Sequence, residues 1–535
     1  MIEFTHFPPE FAERYRHEGY WRHQVLGDLM RDWAQRDQRR VALISENRSW
    51  TYAELDHETD RVAAGLRNLG ISRDDRVVVQ LPNVAEFAIV TIALFRLGAL
   101  PVFALHTHRR AEVTYLCEYS QAVAYITIDG FLGFDYRGLA RQVKESVKDL
   151  KHVIIVGDGA GFPSLSEVAA EPQTLPAPEP SGVAFFLLSG GTTGLPKLIP
   201  RTHDDYAYQL RATAEGLNFD ESGVYLAALP VAHNAALGCP GLLGSLWVGG
   251  KTVLLGTPSP DEAFPMIEQE GVTLTTLMPP LVHLWLDAAE FWDVDFSGLL
   301  LQVGSARFAP ELAKRVRSEL GCRLTQWFGM AEGLLTFTRL NDPEEVVNHT
   351  VGRPLSPADE IRVVDENDHE VPAGEIGELL TRGPYTLRGY YKAEEHNKTV
   401  FTADGFLRTG DLVSMRADGN MIVQGRHKDV INRGGEKIVP AEVEDLLLEH
   451  PEVREVAVVA MPDEIMGEKV CTFVVPRDHP VELTDVRTFL RERGLADFKL
   501  PERLENVEAF PRTNVGKVNK ARLRETIAQS RSLPN

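Results

Sequence analysis

The stretch Val183-Ala184-Phe185-Phe186-Leu187-Leu188-Ser189-Gly190-Gly191-Thr192-Thr193-Gly194-Leu195-Pro196-Lys197 changes character in its middle. Its first six residues form a short apolar run of the length and composition of a buried strand. The rest has almost nothing to bury. Three glycines allow the backbone to turn so that successive N–H groups converge on an anion, and Ser189, Thr192, Thr193 and Lys197 add hydroxyl donors and a positive charge. A strand running into such a loop predicts a phosphate cradle. It is not the Walker loop, which needs Gly-Lys-Ser/Thr, because Pro196 precedes Lys197 and Leu198 follows it. The glycine spacing also differs from the dinucleotide fingerprint.

Outward from this loop, apolar runs alternate with helical segments. Arg76–Gln80, Ala122–Thr127 and Val153–Val156 read as strands and Val84–Leu97 as a helix. This alternation predicts an α/β architecture of doubly wound, largely parallel sheets. The most apolar stretch, Phe87–Phe103, carries Arg96 and is broken at Gly98 and Pro101, so it reads as a buried helix followed by a strand and not as a membrane span. From about Gly352 the texture becomes β-rich, with strands expected at Glu360–Val364, Glu375–Thr381 and Asn420–Gln424. Polar and basic residues at Gly425–Asp429 lead into Asn432–Lys437, which reads as a flexible stretch with little to bury. Beyond it, Pro440 opens a helix, strands fall near Val453–Ala460 and Thr472–Val475, and a helix is expected from a Thr484 cap to Gly494. We therefore expect a large domain at 1–428, containing a small β-rich subdomain, and a mobile α+β lid at 429–535.

The length of 535 residues is enough for several compact units with clefts between them. With 44% hydrophobic and 25% charged residues the chain is of ordinary globular composition, which excludes collagen, coiled coil and wholesale disorder. Its net charge of −21 disfavours nucleic acid as a partner. The N-terminus lacks the basic start and apolar run of a signal peptide, and Cys117, Cys239, Cys322 and Cys471 lack zinc-ligand spacing, so a cytoplasmic protein with reduced thiols is expected. His106 and His108 are expected to be solvated, and no zinc site is assigned.

Further motifs follow in chain order: Gly329-Met330-Ala331-Glu332, Arg408-Thr409-Gly410-Asp411, Gly425-Arg426 with Lys428-Asp429, and Asn514-Val515-Gly516-Lys517. Together with the 189–197 loop they resemble the adenylate-forming superfamily of acyl-CoA synthetases, peptide-synthetase adenylation domains and luciferase. Pro200 to Tyr206, Ala232-His233-Asn234 and Arg382 to Tyr385 are similar to the stand-alone aryl-acid–AMP ligases of siderophore and related peptide assembly. The resemblance implies ATP and Mg²⁺ as cofactors. Ser189, Gly190, Gly191, Thr192, Thr193, Gly194 and Lys197 would wrap the β- and γ-phosphates, and Gly329, Met330 and Ala331 would border the nucleotide. Glu332 would hold the metal, Asp411 and Arg426 the ribose or phosphate, and Lys517 would catalyse adenylation. It also implies a hinge at Asp429 and a second lid face at Gly434, Gly435 and Lys437 for thioester formation. The acceptor would be a phosphopantetheinylated aryl carrier protein or coenzyme A.

For the acid itself, the resemblance points to His233, Asn234, Ala235, Cys239, Gly304, Ser305 and Leu335. Amino-acid-activating relatives carry an aspartate where this chain has Asn234, because a buried ammonium needs a countercharge. An amide supplies none, but can bond an ortho hydroxyl or the carboxylate. Cys239 is a poor partner for a 3-hydroxyl, which favours salicylate-like acids over 2,3-dihydroxybenzoate, and Leu335 adds volume. Ala235 and Ala236 replace the aromatic and proline common there, which leaves room for a substituted or bicyclic acid such as a hydroxyquinaldate or hydroxypicolinate. His233 would gate the passage between pocket and thiol.

Overall fold

The structure is a computed structural model that describes residues 3–46, 48–189, 196–306, 308–434, 436–463, 465–513 and 516–531. Two large sheets form the body. A six-stranded sheet runs in the order Leu198–Thr202, Val183–Leu188, Leu100–Phe103, Arg76–Gln80, Ala124–Ile128, His152–Val156, parallel except for the antiparallel Leu198–Thr202 edge. A nine-stranded sheet has a parallel centre of Leu300–Gly304, Leu274–Leu277, Val224–Ala227, Lys251–Leu254 and Val41–Ser45. Arg323–Met330 lies parallel beside Leu300–Gly304 and turns back antiparallel into Gly333–Phe337. The expected doubly wound body is therefore present.

Inward residues of both sheets share one core with the helices Tyr52–Asn68, Ala85–Leu97 and His203–Gly216. Ala85–Leu97 is apolar on every face because it is covered on every face. Its buried charge, Arg96, is matched by the Asp56 and Asp60 carboxylates and the Gly27 carbonyl, and Glu86 stands in its first turn. Tyr52–Asn68 and His203–Gly216 each start with a reciprocal cap, Thr51 with Glu54 and Thr202 with Asp205. The second cap anchors the site described below.

Glu360–Val364, Gly377–Arg382, Leu407–Met415 and Met421–Arg426 form a separate antiparallel sheet. After the short turn His427–Asp429, the chain enters another sheet, built on Gly467–Pro476 with Ile431–Arg433, Val453–Asp463 and Arg503–Asn506 beside it. The helices Pro440–Leu448, Leu483–Glu492 and Lys520–Arg531 complete this α+β unit.

Three expectations are corrected. One concerns the surroundings of the polar stretch Asn432–Lys437: the stretch itself buries little, but Ile431–Arg433 and Glu436–Ile438 are paired strands whose Ile431 and Ile438 are buried in the core of the C-terminal unit. Thr484 does not cap its helix, which begins at Leu483; its carbonyl instead accepts from the Thr488 hydroxyl inside the helix. His106 and His108 follow the strand Leu100–Phe103 and are not solvated. His108 is buried with its Nδ1 accepting from the Leu105 N–H, and burial pushes both imidazoles below their usual range. Among the described residues no cluster of His, Cys, Asp or Glu is arranged to hold a metal by itself, and no helix is long and apolar enough to cross a membrane. All four cysteines are buried and unpaired.

Candidate active site

The base of the glycine-rich loop is closed by two hydrogen bonds between Ser189 and Lys197. The Ser189 N–H donates to the Lys197 carbonyl, and the Lys197 N–H donates to the Ser189 hydroxyl, each at 2.9 Å. This continues the antiparallel pairing of Val183–Leu188 with Leu198–Thr202. Gly190, Gly191, Thr192, Thr193 and Gly194 lie outside the described residues.

Met330 ends its strand, and Ala331 and Glu332 form the turn before Gly333. Tyr390 donates its hydroxyl to Glu332 Oε1 at 2.9 Å, while Oε2 bonds no described group. Burial raises the Glu332 carboxyl above its ordinary value, opposed by the Tyr390 hydrogen bond. Asp411 and Arg426 are cross-strand partners, and Arg426 Nε donates to Asp411 Oδ1 at 3.0 Å. Asp411 is only 4% exposed, and its Oδ2 is a buried acceptor with no partner. A buried carboxylate oxygen without a donor is costly, so this atom is suited to a ligand hydroxyl. Thr409, Gly410, Arg426, His427 and Lys428, with Glu378, line a cavity of about 360 Å³ beside it.

Lys517 enters this cleft from the far end of the chain. Its loop is held by the Thr513 N–H donating to the Lys517 carbonyl at 2.7 Å and by the Thr513 hydroxyl accepting from the Lys517 N–H at 3.2 Å. Gly516 sits against Met278 of the large domain, where an added Cβ would lie 3.5 Å from the Met278 methyl. The Lys517 ammonium makes no ion pair within 4 Å among the described residues. Burial and the Arg426 charge push it down to about 8, against the opposing pull of Asp411 and Glu332. His233 feels the same ammonium: burial, and then Lys517, lower its imidazole to about 4. Its Nδ1 accepts from the Ala235 N–H at 3.3 Å, so the neutral ring carries its proton on Nε2. One ammonium, one guanidinium, two carboxylates and a neutral imidazole therefore meet within electrostatic reach.

The acid-pocket residues lie on neighbouring elements. Gly304 ends its strand where a Cβ would come 2.5 Å from the Trp327 ring, and Ser305 takes a left-handed φ of 66°. Gly329 pairs with Leu335, whose side chain leaves no room for a Cβ at 2.4 Å. Leu335 is fully buried, and its N–H donates to the Tyr385 hydroxyl, which in turn donates to Asp359. Asn234 and Ala235 begin the short helix Asn234–Gly238, and Cys239 follows it; Ala235 and Cys239 are buried. Asn234 is already engaged, because its Oδ1 accepts from the Tyr206 hydroxyl at 2.8 Å.

In the smaller C-terminal unit, the Asp429 carboxylate accepts from Arg524 of the last helix at 3.0 Å. Gly434 has a φ of 61° and donates its N–H to the Met466 carbonyl at 2.7 Å. Lys437 is exposed, 3.9 Å from Glu366. Gly435 lies outside the described residues. The face bearing Lys437 thus points outward while Lys517 points in.

A family model described as AMP-binding enzyme matches residues 30–391, and one described as AMP-binding enzyme C-terminal domain matches residues 442–517. The chain belongs to the AMP-binding enzyme family. It is 55% identical to the 2,3-dihydroxybenzoate-AMP ligase of Bacillus subtilis, over 98% of both chains. It is 46% identical to the salicyl-AMP ligase / salicyl-S-ArCP synthetase of Mycobacterium tuberculosis, over 97% of this chain and 93% of the relative. Among solved structures, the apo structure of Mycobacterium smegmatis MbtA is 48% identical over 98% of each chain, with a TM-score of 0.76.

In this AMP-binding enzyme, sequence reasoning missed the side chains that support the site. Arg201 is fully buried and donates to Asp205 Oδ1 at 2.9 Å, Gln209 Oε1 at 2.9 Å and the carbonyls of Ala331 at 3.1 Å and Tyr385 at 3.3 Å. It ties the turn that bears Glu332 to the helix that bears Tyr206. Tyr390 and Arg524 were missed as well. The signal for Arg201 was a charge placed between the apolar strand residue Ile199 and the helix cap Thr202. No local signal marks Tyr390 or Arg524, because their partners lie 58 and 95 residues away.

Proposed function

We propose that this enzyme uses ATP to activate an ortho-hydroxylated aromatic carboxylic acid as its aryl adenylate, releasing pyrophosphate. It then passes the aryl group to the phosphopantetheine thiol of an aryl carrier protein. The observation that carries this reading is the meeting of Lys517, Asp411, Arg426, Glu332 and His233 in one cleft.

The acid's carboxylate oxygen attacks the α-phosphorus, the bond to pyrophosphate breaks, and the leaving group carries away the negative charge. The Lys517 ammonium bridges the attacking carboxylate and the α-phosphate oxygen, where charge accumulates. The anions it meets there favour its protonated form, against the burial and the Arg426 charge that lower it. Asp411 Oδ2 accepts from the ribose, Arg426 holds Asp411 and faces the nucleotide, and the 189–197 loop cradles the β- and γ-phosphates. The Glu332 carboxylate, steadied by Tyr390 with Oε2 unclaimed, suits a hard Mg²⁺ ion that would neutralise phosphate charge.

In the second half-reaction the lid, residues 429–535, rotates about Asp429 against residues 1–428. Lys517 withdraws, and the face of Gly434, Gly435 and Lys437 comes in as the thiol passes His233; its sulfur bonds the acyl carbon, the bond to the phosphate oxygen breaks, AMP leaves and the thiol proton is released to solvent. Cys239 and Ala235 favour a salicylate-like, substituted or bicyclic acid, and the names of the two ligase relatives support the aryl-acid class. Acid-dependent pyrophosphate exchange across salicylate, 2,3-dihydroxybenzoate, picolinate and quinaldate tests the first step. Exchange with none of them overturns the reading. Thioester assays with carrier protein and with coenzyme A then decide the acceptor.

A further inference from the structure

We propose that Tyr206 is a positioning residue that fixes which end of the Asn234 amide meets the acid. The site thereby selects an ortho hydrogen-bond acceptor, a phenolic oxygen or ring nitrogen, over an ortho amine. The inference rests on the aryl-acid reading above.

Tyr206 has no freedom of its own. It is fully buried, with the Arg201 guanidinium 4.8 Å from its ring centroid and Phe185 edge-on at 4.7 Å. A Cβ at Gly238 would lie 2.2 Å from its hydroxyl, so the chain keeps that approach clear. Burial raises the phenol well above its usual range, so it remains an O–H donor. The acceptor it finds is Asn234 Oδ1, at 2.8 Å.

The opposite side of the pocket has its polarity set by a group that can only donate. Arg201 takes Gln209 Oε1 at 2.9 Å, which turns Gln209 Nε2 toward the Gly238 carbonyl at 2.9 Å and Cys239 Sγ at 3.7 Å. Cys239 Sγ therefore faces donors, and the Asn234 end turned toward it, at 3.9 Å, is also the donor Nδ2. Flipping the Asn234 amide would leave the Tyr206 O–H facing an N–H in a sealed site, with no acceptor for its proton. The Tyr206 proton, whose acceptor is Oδ1, thus holds Oδ1 inward, and Nδ2, with one hydrogen toward Cys239 Sγ, keeps its other hydrogen to serve the acid.

An N–H presented to the ortho position pairs with the phenolic oxygen of salicylate, whose own proton is shared with the carboxylate, or with the ring nitrogen of picolinate. It opposes the amine of anthranilate, which offers donors and a lone pair delocalised into the ring. A site committed to one hydrogen-bonding polarity rejects the wrong analogue strongly, because a buried group is then left unpaired.

The test is acid-dependent pyrophosphate exchange with salicylate, picolinate and anthranilate, using wild type, Tyr206→Phe and Asn234→Asp. We expect wild type to favour salicylate over anthranilate in kcat/KM by about 100-fold or more. Tyr206→Phe frees the amide to turn and should lower that ratio at least about tenfold, through the KM of the acids and not that of ATP. Asn234→Asp removes the donor and should also move preference toward anthranilate, which decides the matter should Tyr206→Phe fail to fold. Wild-type exchange with salicylate and anthranilate alike, or a ratio left unchanged by either folded variant, overturns the inference alone. Exchange with no aryl acid overturns the aryl-acid reading together with it.

Discussion

Asn234 and Lys517 belong to the same cleft but are held in opposite ways. Asn234 stands at the head of a short helix inside a large core, where Tyr206 donates to it and Arg201, packed on the Tyr206 ring, is hydrogen-bonded to Gln209 and Asp205. Lys517 stands on a loop tied mainly to itself, through Thr513, and touches the large domain at Met278. One group is pre-organised by a core that a solvent change barely reaches. The other is delivered by a separate unit with its own cores. Discrimination between acids needs the first arrangement, since polarity must be set before the ligand arrives. The proposed two-step reaction needs the second, since a group that helps the first step would obstruct the next.

The comparison breaks most directly at Lys517. Lys517→Ala should lower adenylate formation by about 10²–10³ while transfer from preformed aryl adenylate to the thiol changes far less. A single-turnover assay of each half-reaction checks this. Asp429→Pro, which restricts the backbone at the proposed pivot, should cost thioester formation about tenfold to a hundredfold more than adenylate formation. Equal loss of both half-reactions would remove the hinge from the account.

The pH dependence sharpens the same contrast. With the Lys517 ammonium pushed down to about 8, its charge is present below that pH and lost above it. The kcat/KM of adenylation should therefore fall about tenfold per unit as pH rises beyond 8. Lys517→Arg, which stays charged, should abolish that limb whatever its effect on absolute rate. On the acid side, Ala235→Phe should shift preference toward smaller acids by about tenfold in kcat/KM, and an unchanged substrate profile would count against a pocket enlarged at this position. The smallest effect is expected from Arg524→Ala. It removes a partly exposed ion pair to Asp429 and should slow adenylation only about twofold to fivefold, read in the exchange assay.

The elements that sequence reasoning placed well are those whose pattern is local. Arg76–Gln80 and Val183–Leu188 are strands at the expected residues because short apolar runs bounded by turn residues have few alternatives. The fault at Thr484 is equally local: a threonine near a helix start resembles a cap, but the chain enters that helix two residues earlier, with Glu482 at the cap position. The stretch 432–437 has little to bury, and its polar residues mask the neighbouring Ile431 and Ile438, which only the core of the C-terminal unit makes into anchors. In the site, the chemically distinctive residues were legible, whereas their supports were not. Asp411 announces itself in a turn motif, but its unpaired Oδ2 depends on where Arg426 aims.

From its residues alone this chain was committed to alternating strands and helices, a glycine-rich anion cradle and a set of charged groups suited to activating a carboxylate. Those commitments are statements about neighbours in sequence, and short-range physics is enough to make them. The tertiary structure decided which charges would share a cleft, that an ammonium 106 residues beyond Asp411 would be desolvated beside it, and which end of one amide would face inward. Each of these turns on the field and hydrogen bonds of groups far apart in the chain. They take a definite value only once packing has excluded water and fixed every donor opposite its acceptor.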